Sequence, residues 1–370
     1  MPVRESLQAA RTHGATRWQR KVQAYRVEIM TDRYSRQVLF SGIGAAGQEK
    51  VRRGRILLVG CGALGSVIAE ILVRAGIGRI TIADRDYIEE SNLQRQALFT
   101  EEDCRSGLPK AVAAARHLRA INSSVDIYPE VLDVRASTIE ALVREQNIIL
   151  DGTDNFETRY LLNDASLRWN IPWVYGACVG AYGMSVAFVP HVTPCLRCIL
   201  PLLPPPGSSP TCDTVGVIGP IVHVVGALES TEALKLLTGQ RNQLNRKLVT
   251  MDLWTNQLAA MDLSARKPDS DCQACGQGKL EFLDGLHEGH ADMLCSRNAV
   301  QISRLVPRPV DLEAIAKRLS ELGPVTHNEF LLKAKIGELE LALFRDGRAI
   351  VKGTQDLGEA RRVYSRFIGD

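Results

Sequence analysis

A chain of 370 residues, 45% apolar and 24% charged, has the composition of an ordinary globular protein and the length for two or three domains. Its net charge of +3 is uneven: residues 1–29 hold six basic and two acidic residues, and the rest, with 39 basic and 40 acidic, is close to neutral, which argues against an extended nucleic-acid surface. The longest apolar stretch, Gly216–Leu228, has thirteen residues and contains Pro220 and His223, so no membrane helix is expected, and there is no signal-peptide core.

In chain order, the basic leader 1–29 (Arg4, Arg11, Arg17, Arg20, Lys21, Arg26) reads as disordered, in preference to a presequence or a partner-binding arm, and Met30 reads as a natural start. Arg33–Gln37 and a short glycine-broken segment follow. Ile56–Val59 then predicts a strand that enters Gly60-x-Gly62-x-x-Gly65. After it Leu64, Val67, Ile68, Ile71 and Leu72 share one face of a helix. Strand, glycine turn and helix are the context in which this motif captures phosphate: glycines admit a close backbone approach, and the helix start offers free N–H donors. A second strand, Arg79–Ala83, ends at Asp84, where an acid can bond a ribose hydroxyl.

Further alternation follows. A helix is predicted over Lys110–Ile121, a strand near Val125–Val131, a helix near Ser137–Glu145, a strand over Asn147–Leu150 and a helix over Phe156–Trp169. Pro172–Ala177 and Gly183–Val189 are strand-like. Pro201–Thr211, with five prolines, is a loop, Pro220–Gly239 a helix, and Leu248–Leu253 with Gln257–Leu263 a closing hairpin. Such alternation predicts an α/β fold: a Rossmann-like, doubly wound, mainly parallel sheet with helices on both faces, over residues 30–276. Residues 277–293 read as a linker. Residues 294–370 read as a small α+β domain: a strand, a helix (Asp311–Leu322), strands at Phe330–Ile336, Leu339–Phe344 and Arg348–Lys352, and a helix at Leu357–Phe367. It shows no catalytic motif.

Four polar stretches accompany the glycine turn: Arg33–Gln37, Ser91–Gln96, Gly107–Lys110 and Asp151–Asn155. Each alone reads as a solvated strand end or helix start. In an open α/β sheet, however, ligands sit outside the carboxyl ends of the strands, and Asp84, Ser91–Arg95 and Asp154 all follow such ends. Of nine cysteines, Cys195/Cys198 and Cys272/Cys275 form two C-x-x-C pairs separated by 73 residues. Four thiolates suit a closed, tetrahedral, structural zinc site, and the pattern fits a reducing, cytoplasmic setting. Cys61, Cys104, Cys178 and Cys295 read as structural, and His223 as a satisfied core residue.

RYSRQ, GCGALGS, SNLQRQ, PK, GTDN, the paired C-x-x-C motifs and TCDTVGV together resemble the HesA/MoeB/ThiF adenylyltransferases, bacterial relatives of ubiquitin-activating enzymes, over roughly Asp32–Gly276. The resemblance implies adenylation, with ATP and Mg²⁺, of the C-terminal glycine of a ubiquitin-like sulfur carrier ending in Gly-Gly, usually by a homodimer. By motif position, Gly60, Gly62, Gly65 and Asp84 would hold the nucleotide, within a site that includes Ser91, Asn92, Leu93, Gln94 and Asn155. Asn92, Arg95 and Lys110 would hold the phosphates, Asp154 would bind Mg²⁺, and Arg36 would reach the partner subunit's site. Cys212 stands where the family places a cysteine that bonds the activated carrier. No rhodanese domain is appended, so a sulfur donor, where one is used, is separate. A nicotinamide-dependent oxidoreductase fits the glycine motif and Asp84 equally well, but not the set Arg95, Lys110 and Asp154. Related tRNA-modifying dehydratases adenylate a different substrate, which the near-neutral body disfavours here. A non-catalytic partner subunit is disfavoured by the intact ATP set.

Overall fold

The computed structural model describes residues 33–205, 210–263, 269–286, 291–294, 298–303 and 308–369, so the leader and Cys295 lie outside it. The chain divides into two compact units, 1–50 and 51–370. In the first, helix α1 (Ser35–Leu39) is followed by the start of α2 (Gly44–Arg53), where the sequence had predicted only a broken segment. The Gln37 amide donates to Gln48 Oε1 at 2.6 Å, and Arg36 is exposed.

The second unit contains an eight-stranded sheet. Strands β1 (Arg55–Val59), β2 (Arg79–Ala83), β3 (Asp126–Glu130), β4 (Ile148–Asp151) and β5 (Trp173–Val179) are parallel, in the order β3-β2-β1-β4-β5. Three antiparallel strands, β6 (Tyr182–Phe188), β7 (Lys247–Asp252) and β8 (Gln257–Asp262), extend it. The inner strands β1, β2 and β4 are apolar on both sides because both sides are covered, whereas the edge strand β3 leaves Asp126 and Tyr128 exposed. On one side Ile56 and Leu58 pack with α3 (Ala63–Ala75), α5 (Lys110–Ile121) and α10 (Gly219–Thr238). On the other, Leu57 and Val59 pack with α6 (Ala136–Val143) and α7 (Phe156–Trp169). Short elements not predicted as such include the helix α4 (Glu101–Ser106), 3₁₀ turns at Glu90–Asn92 and Arg241–Gln243, α8 (Leu196–Ile199) and α9 (Cys212–Val215). The α4 start is set by a capping box, in which the Thr100 and Asp103 side chains satisfy each other's backbone N–H groups. His223 departs from expectation. It lies on the exposed side of α10, its Nδ1 3.0 Å from the Gly219 carbonyl, because the helix buries Ile221, Val222 and Val225 instead.

A second sheet, antiparallel throughout, has the order β11-β12-β13-β14-β10-β9. Its strands are β9 (Ala291–Leu294), β10 (Ala299–Ile302), β11 (Val325–His327), β12 (Leu331–Ile336), β13 (Leu339–Phe344) and β14 (Ala349–Lys352). Helices α11 (Leu312–Leu319) and α12 (Leu357–Phe367) start at Asp311 and Asp356, whose carboxylates accept N–H bonds from the first turn. One face of this sheet (Val300, Leu332, Leu341, Leu343, Val351) packs with these two helices. The other face (Ala299, Leu331, Ala342, Phe344, Ile350) packs on Tyr87 from the segment after β2. Within the stretch read as a linker, Phe282 is buried against Tyr160, and β9 pairs with β10.

Candidate active site

The glycine turn is built by backbone packing. At Gly60, with φ +84°, a Cβ would stand 2.5 Å from the Gly152 carbonyl oxygen; at Gly65 it would stand 2.0 Å from that of Gly60. Only glycine lets β1, α3 and the loop after β4 meet this closely. Gly62 differs. Among the described residues a Cβ there would meet only the Gln96 amide at 3.7 Å, and no side chain caps α3. The helix start is therefore open, with its positive dipole end and unclaimed N–H groups available to an anion.

Asp84 closes the far side of the turn. Its carboxylate accepts the Cys61 N–H at 2.6 Å and the Asp86 N–H at 2.7 Å. Burial pushes its pKa up, against the pull of Lys110. Burial likewise pushes the Cys61 thiol well above its ordinary range, so it is inert. Lys110, 2% exposed at the start of α5, pairs with Asp86 at 3.3 Å and donates its backbone N–H to the Asp86 carbonyl at 2.9 Å. Asp84 therefore joins the glycine turn, through the Cys61 N–H, to Asp86, which holds Lys110.

The Ser91–Gln96 stretch forms a turn that packs inward through Asn92, 4% exposed, whose Oδ1 accepts the Glu89 N–H. Ser91 is exposed, Leu93 packs on the core, and Gln94 Nε2 is 3.5 Å from the Val217 carbonyl. Arg95 is half-buried and donates to the Ser91 carbonyl at 2.7 Å.

At the end of β4 and in the loop after it the two acids separate. Asp151 is fully buried, whereas Asp154 is exposed. Asn155 caps α7 by accepting the Thr158 N–H at 2.8 Å. Asp151 meets Arg159, a residue that motif reading passed over. Arg159 Nε donates to Asp151 at 2.9 Å, and Nη2 donates to the Thr153 and Gly176 carbonyls at 2.9 and 3.0 Å. Burial opposes the Arg159 charge, but the Asp151 carboxylate more than offsets this and holds the guanidinium above its ordinary pKa. Arg159 thus fixes the loop that presents Asp154. The available signal was a lone arginine beside Tyr160, Leu161 and Leu162 in an otherwise apolar helix turn. Asp86, two residues past Asp84, was passed over too.

Two polar groups sit deeper. Glu229 of α10 is fully buried, which pushes its carboxyl well above the ordinary carboxylate range, and has no hydrogen-bond partner among the described residues. Cys212, half-buried, donates from Sγ to the Cys178 carbonyl at 3.3 Å.

The sequence pattern described as the ThiF family matches residues 34–274. The chain belongs to the ThiF family. It is an adenylyltransferase, which removes the nicotinamide-dependent reading. Over 341 residues this ThiF-family chain is 47% identical to the sulfur carrier protein ThiS adenylyltransferase of Bacillus subtilis, covering 92% of this chain and all of the relative. An alignment that long extends well past residue 274 into the antiparallel sheet. The SAMP-activating enzyme E1 of Haloferax volcanii is 36% identical over 259 residues, 69% of this chain and 92% of that one. A crystal structure of E. coli MccB has the same fold, with TM-score 0.57 at 23% identity over 70% of this chain and 80% of that one.

The four cysteines of the C-x-x-C pairs come together in this ThiF-family chain. All four Sγ atoms lie within 4.8 Å of one another, with separations of 3.8 Å (Cys195–Cys198), 3.7 Å (Cys195–Cys272) and 3.4 Å (Cys198–Cys275). A tetrahedron with Zn–S bonds of about 2.3 Å has edges of about 3.8 Å, so this donor set could hold zinc. It ties α8, just before the proline-rich stretch, to the turn at Cys272–Gly278.

Proposed function

We propose that residues 30–276 adenylate the C-terminal glycine of a ubiquitin-like sulfur carrier of the ThiS/MoaD kind, with ATP and Mg²⁺ and release of pyrophosphate. The observation that carries this reading is the buried Lys110–Asp86 pair beside an uncapped helix start. A phosphate-sized anion there meets free N–H groups and a fixed cation at once. The B. subtilis relative, named for ThiS and matched along its whole length, supports the choice of carrier.

The residue types suit the chemistry. A C-terminal carboxylate, with pKa near 3.5, is ionised at neutral pH and attacks the α-phosphorus without a general base. What it requires is alignment and neutralisation of charge on the departing pyrophosphate. Gly60, Gly62 and Gly65 admit the nucleotide backbone-close, and Asp84 accepts from the ribose. Asn92, Arg95 and Lys110 hold phosphate oxygens, and the exposed Asp154 holds Mg²⁺. In this reading the protein is a cytoplasmic homodimer in which Arg36 completes the partner's site. Cys195, Cys198, Cys272 and Cys275 hold zinc structurally, Cys212 bonds the activated carrier as AMP leaves, and a sulfur donor, where one is used, is a separate protein.

ATP–pyrophosphate exchange tests the reading. Exchange should require a Gly-Gly carrier, and Asp154→Ala should lower it at least a hundredfold. Undiminished exchange in that variant, or exchange without any carrier, overturns the assignment. Cys212→Ala should leave exchange within a few-fold, because adenylation needs no thiol, and should remove only a reductant-sensitive adduct with the carrier.

A further inference from the structure

The antiparallel sheet grips the two chain segments that carry Asp86 and Lys110. The first segment follows β2. There Tyr87 packs on Phe344, with ring centroids 6.4 Å apart, and the ammonium groups of Lys333 and Lys352 lie 3.9 and 5.0 Å from its ring centre. Lys352 also pairs with Glu89. The second segment leads into α5. Asn328 Nδ2 donates to the carbonyls of Ser106 and Gly107 at 3.1 and 3.0 Å. The orientation of this amide is fixed from behind, because its Oδ1 accepts the Phe330 and Leu331 N–H groups at 2.9 and 3.0 Å. Two donors therefore face two carbonyls that α4 leaves open at its Gly107 end, where φ is +58°.

The two gripped segments meet each other. Tyr87 and Pro109 form an antiparallel bridge, and Asp86 holds Lys110 by both its carbonyl and its carboxylate. A shift of the Ser106–Pro109 turn would carry Lys110, the next residue, with it.

We propose that the antiparallel sheet is a positioning element of the nucleotide site, and that Asn328 sets the place of Lys110 through the Ser106–Pro109 turn. This rests on the reading of Lys110 as a phosphate-binding residue. The sheet is then more than a cover for apolar surface: its loop before β12 and the end of β14 determine how well the nucleotide is held, before any carrier arrives.

The experiment uses the full chain with Mg²⁺ and a non-hydrolysable ATP analogue, no carrier, and calorimetric Kd as the readout. Asn328→Asp keeps the acceptor that orders the loop but sets an anion against two carbonyls. It should weaken Kd about tenfold and speed amide exchange at Leu108 and Lys110, while the melting temperature moves by only a few degrees. Lys110→Met should weaken Kd at least tenfold, and adding Asn328→Asp to it should cost less than twofold more, since the two act through one contact. Equal losses in both backgrounds, or no loss from Asn328→Asp while Lys110→Met weakens binding, overturn the positioning role. An unchanged Kd in Lys110→Met overturns the phosphate assignment itself. Should Asn328→Asp not fold, Lys352→Met on the other segment decides by the same cycle.

Discussion

In the eight-stranded sheet, the carboxyl ends of β1, β2 and β4 are crowded with buried charge: Asp84, Lys110, Asp151 and Arg159 are each 8% exposed or less. In the six-stranded sheet the buried positions described on both faces are mainly apolar. Its buried polar residues include Gln301, which donates to Asp133 of the first sheet's domain at 2.7 Å, and Arg348, whose charge acts on Asp133. Both sheets have well-packed cores, so burial alone does not distinguish them. Buried ions are costly unless paired, and a fold that gathers several at one edge gives up stability there. The first sheet bears that cost where an anionic substrate and its metal would sit. The second bears it at Arg348, 3% exposed and 3.7 Å from the Asp346 carboxylate, and otherwise lays an apolar face against Tyr87.

The largest effect should come from the sulfur cluster that closes the first sheet's domain. Metal analysis should find one zinc per chain. Chelation, or Cys272→Ser, should unfold the region around α8, since structural zinc contributes on the order of 10 kcal/mol in small zinc peptides. A zinc-free chain with unchanged stability would remove the metal from the account.

A smaller effect tests the buried charge directly. Arg159→Met leaves Asp151 unpaired in the core and should cost about 3–5 kcal/mol in urea unfolding. A loss under about 1 kcal/mol would mean that the first sheet's buried ions are no more demanding than the second's polar contacts.

The smallest effect is pH-dependent. Burial pushes the Asp164 pKa from 3.8 up to about 6, against the pull of the Phe282 N–H, which its Oδ2 accepts at 3.0 Å. A raised acid binds its proton more tightly when folded. Its contribution to stability is therefore complete below about pH 4 and lost as pH rises through about 6. Asp164→Asn should flatten this part of the stability profile and gain relative to wild type above pH 6, by up to about 3 kcal/mol. An unaltered profile would place the titration elsewhere.

Local pattern carried much of this protein. Apolar periodicity located β1, α3, β2 and α7, because a strand covered on both sides and a helix covered on one must be apolar in those ways wherever they lie. The glycines at 60 and 65 announced a turn, since no other residue tolerates approaches of 2.0–2.5 Å at a Cβ, and the cysteine pairs announced a cluster that the fold then assembled. What the sequence could not settle was which of several polar residues would face inward. Asp151 ends β4 and Asp154 stands three residues on in the loop, yet one is sealed against Arg159 and the other is exposed, a division made by how α7 packs beside β4 and β5. Likewise nothing local to Asn328 points to Ser106 and Gly107, more than two hundred residues earlier. Periodicity reports only how a segment meets its own surroundings. Contacts between distant segments exist only once two sheets have been brought together, so those were decided by the tertiary structure.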